Sequence, residues 1–135
     1  VNNIDGDIVV NCWSKIKSAK GTDFFVDTFY RLLFEHHPEI RPLFPDNLTR
    51  QKTSLLSMLN GAINGIEFID DLHKEITELG KKHKNIGIKK DMFDPFIVAL
   101  VTAANLSSDF SLTNKELEVW ENTFRKISRI MLSAY

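Results

Sequence analysis

Cysteine is almost absent from this chain: Cys12 is the only one in 135 residues. A single thiol excludes an internal disulfide and a cysteine metal cluster. It suits a reducing compartment, and a cytoplasmic location is the expectation. Net charge is almost absent as well. Lys and Arg total 17 against 18 Asp and Glu, a formal charge of −1. That balance gives no electrostatic reason to expect nucleic acid or a membrane as a partner. No apolar run is long enough to span a bilayer, and the opening VNNIDGDIVVNCW is too acidic for a signal peptide. Internal repeats, low-complexity tracts and a glycine-rich dinucleotide motif are all missing. No segment sustains a two-residue alternation, so no sheet is expected. No His, Asp, Glu or Cys cluster has zinc-ligand spacing.

What is present is helical periodicity, in a length that fits one domain over residues 1–135. Ile8, Val9, Cys12, Trp13 and Ile16 make a first amphipathic stripe. Thr22 is placed to cap a second helix carrying Phe25, Val26, Phe29, Leu32 and Leu33. Pro38 ends that helix and can open a short third one. The stretch RPLFPDN, with prolines at 42 and 45, is expected to be irregular. A long stripe follows from about Leu48 through Leu55, Leu56, Leu59, Ile63 and Ile66. A helix is expected over 70–84, with Gly87 just beyond it. Another is expected over 89–107, where Pro95 marks a kink or a late start. For the last helix, Thr113 and Glu116 have capping-box spacing, and Leu112 and Leu117 are placed as a hydrophobic staple. Leu117, Trp120, Phe124, Ile127 and Met131 form its buried face. Seven or so helices of unequal length make an all-α protein, without the regularity of a four-helix bundle or a solenoid.

Three polar residues interrupt this pattern. In ITELGKKHKNIGI, His83 continues the face set by Leu72, Ile76 and Leu79. Gln51 heads the face of Leu55 and Leu59. Tyr30 lies among Val26, Phe29 and Leu33. Buried polar groups need partners, and three in one small helical domain point to a shared polar task. Taken singly, each has an ordinary reading: a core histidine bonded to a carbonyl, a packing tyrosine, an exposed glutamine. His36 and His37 precede Pro38, and His73 is one position off its stripe, so those histidines fit the ordinary case.

HHPEIRPLF followed by LGKKHKNIGI resembles the globin family, in particular the haem domain of bacterial flavohaemoglobins and their single-domain relatives. The resemblance runs over nearly the whole chain. It rests on Pro38 opening a short helix, on Phe44 as the haem-stacking phenylalanine, and on His83 as the proximal histidine. Tyr30 and Gln51 match the distal pair, and Leu55 the large distal apolar residue.

The resemblance implies a globin fold of about seven to eight helices around a buried haem. The cofactor would be haem b, not covalently attached, with His83 as the metal ligand. Phe44, Leu55, Leu79, Ile88 and Phe96 would pack on it. Lys82, and more loosely Lys84, would meet its carboxylates, although a solvated lysine-rich face is an equal reading. Oxygen, carbon monoxide and nitric oxide would be the ligands. A Tyr–Gln pair donating to bound oxygen implies tight binding and slow release. That favours scavenging, sensing or oxygen chemistry over delivery. A nitric oxide dioxygenase working with a separate reductase is the alternative. Monomer and homodimer both remain open. The pattern departs from the family where Phe93 stands for a proximal tyrosine and Tyr135 for a glutamate. The Phe44–Gln51 loop is also about three residues short. Without the carboxylate, the imidazole should push less electron density onto iron.

Overall fold

Six α-helices and three short 3₁₀ segments form along residues 3–135, the part of the chain that the structure, a computed structural model, describes. No strand occurs among the described residues. The α-helices are α1 (Asn3–Ser18), α2 (Thr22–His36), α3 (Thr49–Asn64), α4 (His73–Asn85), α5 (Phe93–Ser107) and α6 (Asn114–Leu132). The 3₁₀ segments are Pro38–Leu43, Ile66–Phe68 and Lys90–Met92. Residues 1 and 2, which the single-domain reading includes, lie outside the described residues.

Local chemistry explains where the boundaries differ from expectation. Thr22 does not cap α2. Gly21 holds the N-cap position at φ 91°, a conformation that suits glycine, and Thr22 is the first helical residue. Pro38 opens its segment as expected, but the turn also absorbs Pro42, so irregular backbone begins only at Phe44. The helix expected from residue 70 starts at His73, because Asp71 and Leu72 donate to Phe68 and Ile69 in tight turns. Pro95 is the third residue of α5, where its missing N–H has no helical acceptor to lose. It marks a late start after the Lys90–Met92 turn. The capping box of α6 forms: Thr113 N–H donates to Glu116 Oε1 at 2.9 Å, and Glu116 N–H to Thr113 Oγ1 at 3.1 Å.

The core packs α2 against α5, and α6 against α1, α4 and α5. Two aromatic groups divide it. Trp13, Phe25, Trp120 and Phe124 form one, with Trp13 and Trp120 stacked at 6.1 Å and Trp120 meeting Phe124 at 4.9 Å. Trp120 Nε1 donates to the Leu100 carbonyl at 3.2 Å, which satisfies the one polar atom of a fully buried side chain. Phe29, Tyr30, Phe34, Phe44 and Phe96 form the other.

One glycine fixes how α4 sits. Gly80 is buried against α6, and a Cβ there would overlap the Met131 main chain, with the carbonyl carbon and Cα both at 2.9 Å. Only a residue without a side chain allows this approach. It draws the last turn of α4 onto the core, three residues before His83.

Candidate functional site

Between the helices lies an apolar cavity of about 320 Å³, within the roughly 300–1,000 Å³ range of small-molecule sites. Helix α2 contributes Phe29, Tyr30 and Leu33, and Phe44 follows the first 3₁₀ segment. Helix α3 contributes Arg50, Gln51, Ser54, Leu55 and Met58. Leu79 and His83 come from α4, with Ile86 and Ile88 just after it. Phe93, Phe96, Ile97 and Leu100 come from α5, and Phe124, Ile127, Ser128 and Met131 from α6. Tyr30, Phe44, Gln51, Leu55, Leu79, His83, Ile88 and Phe96 are thus brought to one wall. Lys82 is not: it is exposed and outside the cavity. Lys84 is outside as well, with its ammonium 6.0 Å over the Tyr135 ring.

His83 holds its ring by a local bond. Nδ1 lies 2.7 Å from the Leu79 carbonyl one turn back. A carbonyl can only accept, so Nδ1 carries the proton, and in the neutral ring Nε2 keeps its lone pair. Past the end of α4, Ile88 N–H donates to the His83 carbonyl at 3.0 Å, and Gly87 at φ 97° makes that turn possible. Phe93 lies 6.3 Å from the imidazole by ring centroids, and Tyr135 meets Phe93 edge-on at 5.5 Å. The Tyr135 hydroxyl donates to the Ile88 carbonyl at 2.8 Å. Among the described residues no carboxylate bonds to the His83 ring. Its ring proton goes to a neutral carbonyl, the weaker of the two usual acceptors.

Tyr30 is buried, with ring neighbours Phe29, Phe34 and Phe44 at 4.9–5.8 Å. Burial pushes its hydroxyl up to about 12, so it remains a proton donor at neutral pH. Its protein partner is the Gln51 main-chain oxygen, at a long 3.3 Å. Gln51 Oε1 is a buried side-chain oxygen with no hydrogen-bond partner. A buried polar atom left unsatisfied costs about 1–3 kcal/mol. The two residues therefore hold a weakly used hydroxyl and an unpartnered amide oxygen in the cavity wall.

Some contributors carried no clear sequence signal. Arg41 donates to the carbonyls of Phe44, Pro45 and Asp46 at 3.0–3.1 Å, and its guanidinium lies 5.0 Å over Phe34. It ties down the short loop that carries Phe44. Arg50 and Ser54 are exposed wall residues whose polarity reads as an ordinary solvent face. Met58, one turn from Leu55, and Ser128 also line the cavity and were not among the residues that the sequence singled out.

A haem fits these residues. The wall is mostly apolar, it offers one imidazole with a free nitrogen, and it keeps an orphaned polar oxygen elsewhere in the same cavity. Among the described residues no group of three or more His, Cys, Asp or Glu could hold a metal ion, and the cavity offers a single imidazole. That is what a metal already held in a macrocycle needs.

The comparisons with known proteins agree. Among curated relatives, a flavohemoprotein of Bacillus subtilis is 28% identical over 105 residues, covering 74% of this chain and 26% of its own length. One of Oceanobacillus iheyensis is 24% identical over 108 residues, covering 78% and 27%. The chain thus spans about a quarter of the length of the curated relatives it matches. Among solved structures, a bacterial globin from Campylobacter jejuni superposes with a TM-score of 0.81 at 20% identity, covering 98% of this chain and 95% of its own. An engineered carbene transferase from Rhodothermus marinus, described as a candidate nitric oxide dioxygenase, gives 0.84 at 21%, covering 98% and 92%. The family profile described as Globin matches residues 27–131. This chain belongs to the globin family, and it resembles the haem domain of flavohaemoglobins.

Proposed function

We propose that this chain is a haem protein that takes up oxygen with high affinity and releases it slowly, through the Tyr30–Gln51 pair. The cofactor is haem b, held by His83 and packed by Phe44, Leu55, Leu79, Ile88 and Phe96. When bound, it supplies the iron atom at which oxygen, carbon monoxide or nitric oxide is taken up. His83 contributes the Nε2 lone pair, with the ring oriented by the Nδ1–Leu79 bond.

The observation that carries this reading is the Tyr30 hydroxyl, buried in the cavity wall and held by the protein only through a long 3.3 Å contact to the Gln51 main-chain oxygen. A diatomic ligand whose outer atom carries negative charge gains a donor there. Oxygen is such a ligand, and carbon monoxide gains much less. A hydrogen bond to a charged acceptor contributes about 1.5–3 kcal/mol, which slows release rather than entry. Simple delivery needs easy release, so scavenging, sensing or chemistry on oxygen suits the pair better.

A second reading is an enzyme, a nitric oxide dioxygenase that draws electrons from a reductase outside these residues. Its support is the likeness to flavohemoproteins that extend well beyond the matched region. Stopped-flow mixing of the oxygenated protein with nitric oxide separates the two readings. Slow oxygen release, with nitrate formed repeatedly only when a reductase is supplied, supports the enzyme. Slow release without such turnover supports the binding protein. Fast oxygen release would contradict both.

A further inference from the structure

The cavity wall contains three ionisable side chains, Tyr30, Arg50 and His83, and no carboxylate. Two of the three are satisfied by the protein: Tyr30 by the Gln51 carbonyl and His83 by the Leu79 carbonyl. Arg50 is not. Arg31, Arg41 and Arg125 each find protein acceptors. Arg50 makes no hydrogen bond or ion pair among the described residues. Arg129 is also free, but it lies outside the wall. Arg50 is therefore the one fixed positive charge on an otherwise apolar cavity, and nothing on the protein neutralises it. Being exposed, it lies where the cavity opens to solvent. Ser54 stands one turn later on the same helix, is also exposed and also lines the cavity, and brings a hydroxyl to the same edge.

A cavity of this kind selects an amphiphile: an apolar body that fills the interior, with an anionic group at the rim. A guanidinium matches a carboxylate in a planar fork, which an ammonium cannot reproduce. We propose that Arg50, with Ser54 beside it, is the carboxylate-binding edge of this site. It would engage a carboxylate of the haem, the role that the lysine-rich stretch of α4 leaves open because Lys82 and Lys84 both lie outside the wall. The inference rests on the haem reading above and adds a cofactor-binding residue to it.

Because the pair sits at the rim, solvent screens it, and the effect should be moderate. The test is the rate of haem loss to an acceptor apoprotein, for the wild type, Arg50→Ala, Arg50→Gln and Lys82→Ala. Each is loaded either with haem or with its dimethyl ester, which keeps the macrocycle and removes the anionic charge. Both Arg50 variants should lose haem faster, by roughly three- to tenfold at low salt. The difference should shrink as sodium chloride is raised, and should vanish with the diester. Lys82→Ala should match the wild type. An equal acceleration for haem and diester would mean that Arg50 acts by packing, and would overturn the proposal. So would unchanged haem loss in both Arg50 variants, or a larger effect from Lys82→Ala. A wild type that binds neither porphyrin would overturn the haem reading itself, and this inference with it.

Discussion

At the scale of single residues, Tyr30 has two properties that pull together. Burial keeps its proton on, and the protein uses its hydroxyl only weakly, through a 3.3 Å contact to the Gln51 carbonyl. Tyr30→Phe keeps the ring packing and deletes the donor. If the bond to a ligand contributes about 1.5–3 kcal/mol, oxygen should leave roughly ten- to a hundredfold faster. Carbon monoxide release should change much less. Gln51→Leu should act in the same direction with a smaller effect. Equal changes for both gases in flash photolysis would mean a steric role for Tyr30. Because the hydroxyl is pushed up to about 12, the wild-type oxygen release rate should be flat from about pH 6 to 9 as far as Tyr30 sets it. Phe44 is held between Phe34 and Tyr30, with ring centroids at 5.4 and 5.8 Å, and lines the same cavity. Phe44→Ala removes an aromatic wall, at a cost of about 3–5 kcal/mol if the site does not collapse. Faster haem loss is the expected readout, and an unchanged rate would place Phe44's role in the core alone.

At the scale of helices, two contacts set how firmly the site is mounted. Gly80 lets α4 touch the Met131 backbone. Gly80→Ala must push α4 away from α6, and such overpacking costs about 1–3 kcal/mol. The thermal midpoint should fall, and haem loss should rise with it because His83 lies on the displaced turn. A variant as stable as the wild type would show that α4 is not so tightly seated. The second contact anchors α6. Burial raises the Glu116 carboxyl, but the Lys15 ion pair at 2.8 Å and hydrogen bonds from Thr113 N–H and Asn11 outweigh it, and the group ends below its usual value. Its folded pKa is therefore below its unfolded one. The stabilisation is complete above the unfolded value of about 4.3, and is lost as pH falls through the folded value. Glu116→Gln should lower stability at neutral pH, and the two unfolding curves should converge in acid. A constant gap across pH would contradict the ionic account.

Helices were the legible part of the sequence because each buried face repeats at helical spacing, as Trp120, Phe124, Ile127 and Met131 do on α6. Their ends were less legible. Gly21 displaced Thr22 at the start of α2 because a positive φ was needed at the corner. The turn from Pro38 absorbed Pro42 because a 3₁₀ segment of this length needs few N–H groups.

At the scale of the whole molecule, the site is assembled from five of the six α-helices and the segments between them, so no single stretch of sequence displays it. The inward polar residues were visible because an apolar stripe makes His83, Gln51 and Tyr30 stand out. The rim was not, since Arg50 and Ser54 look like any solvated helix face until the cavity places them. The lysines of α4 illustrate the reverse: proximity to His83 in sequence put Lys82 forward, while the helix turns it outward. The fold's contribution is convergence. Helix α4 delivers an imidazole with its outer nitrogen already committed to Leu79, while α2 and α3 bring a hydroxyl donor and an unpartnered amide oxygen to the same apolar space. All of this depends on His83 being the protein's ligand to a haem iron. The most direct test is the ferrous absorption spectrum of His83→Ala reconstituted with haem, recorded with and without added imidazole. The account predicts that the wild-type spectrum is lost, or that haem is not retained, and that imidazole restores it. An unchanged spectrum in the substituted protein would contradict it.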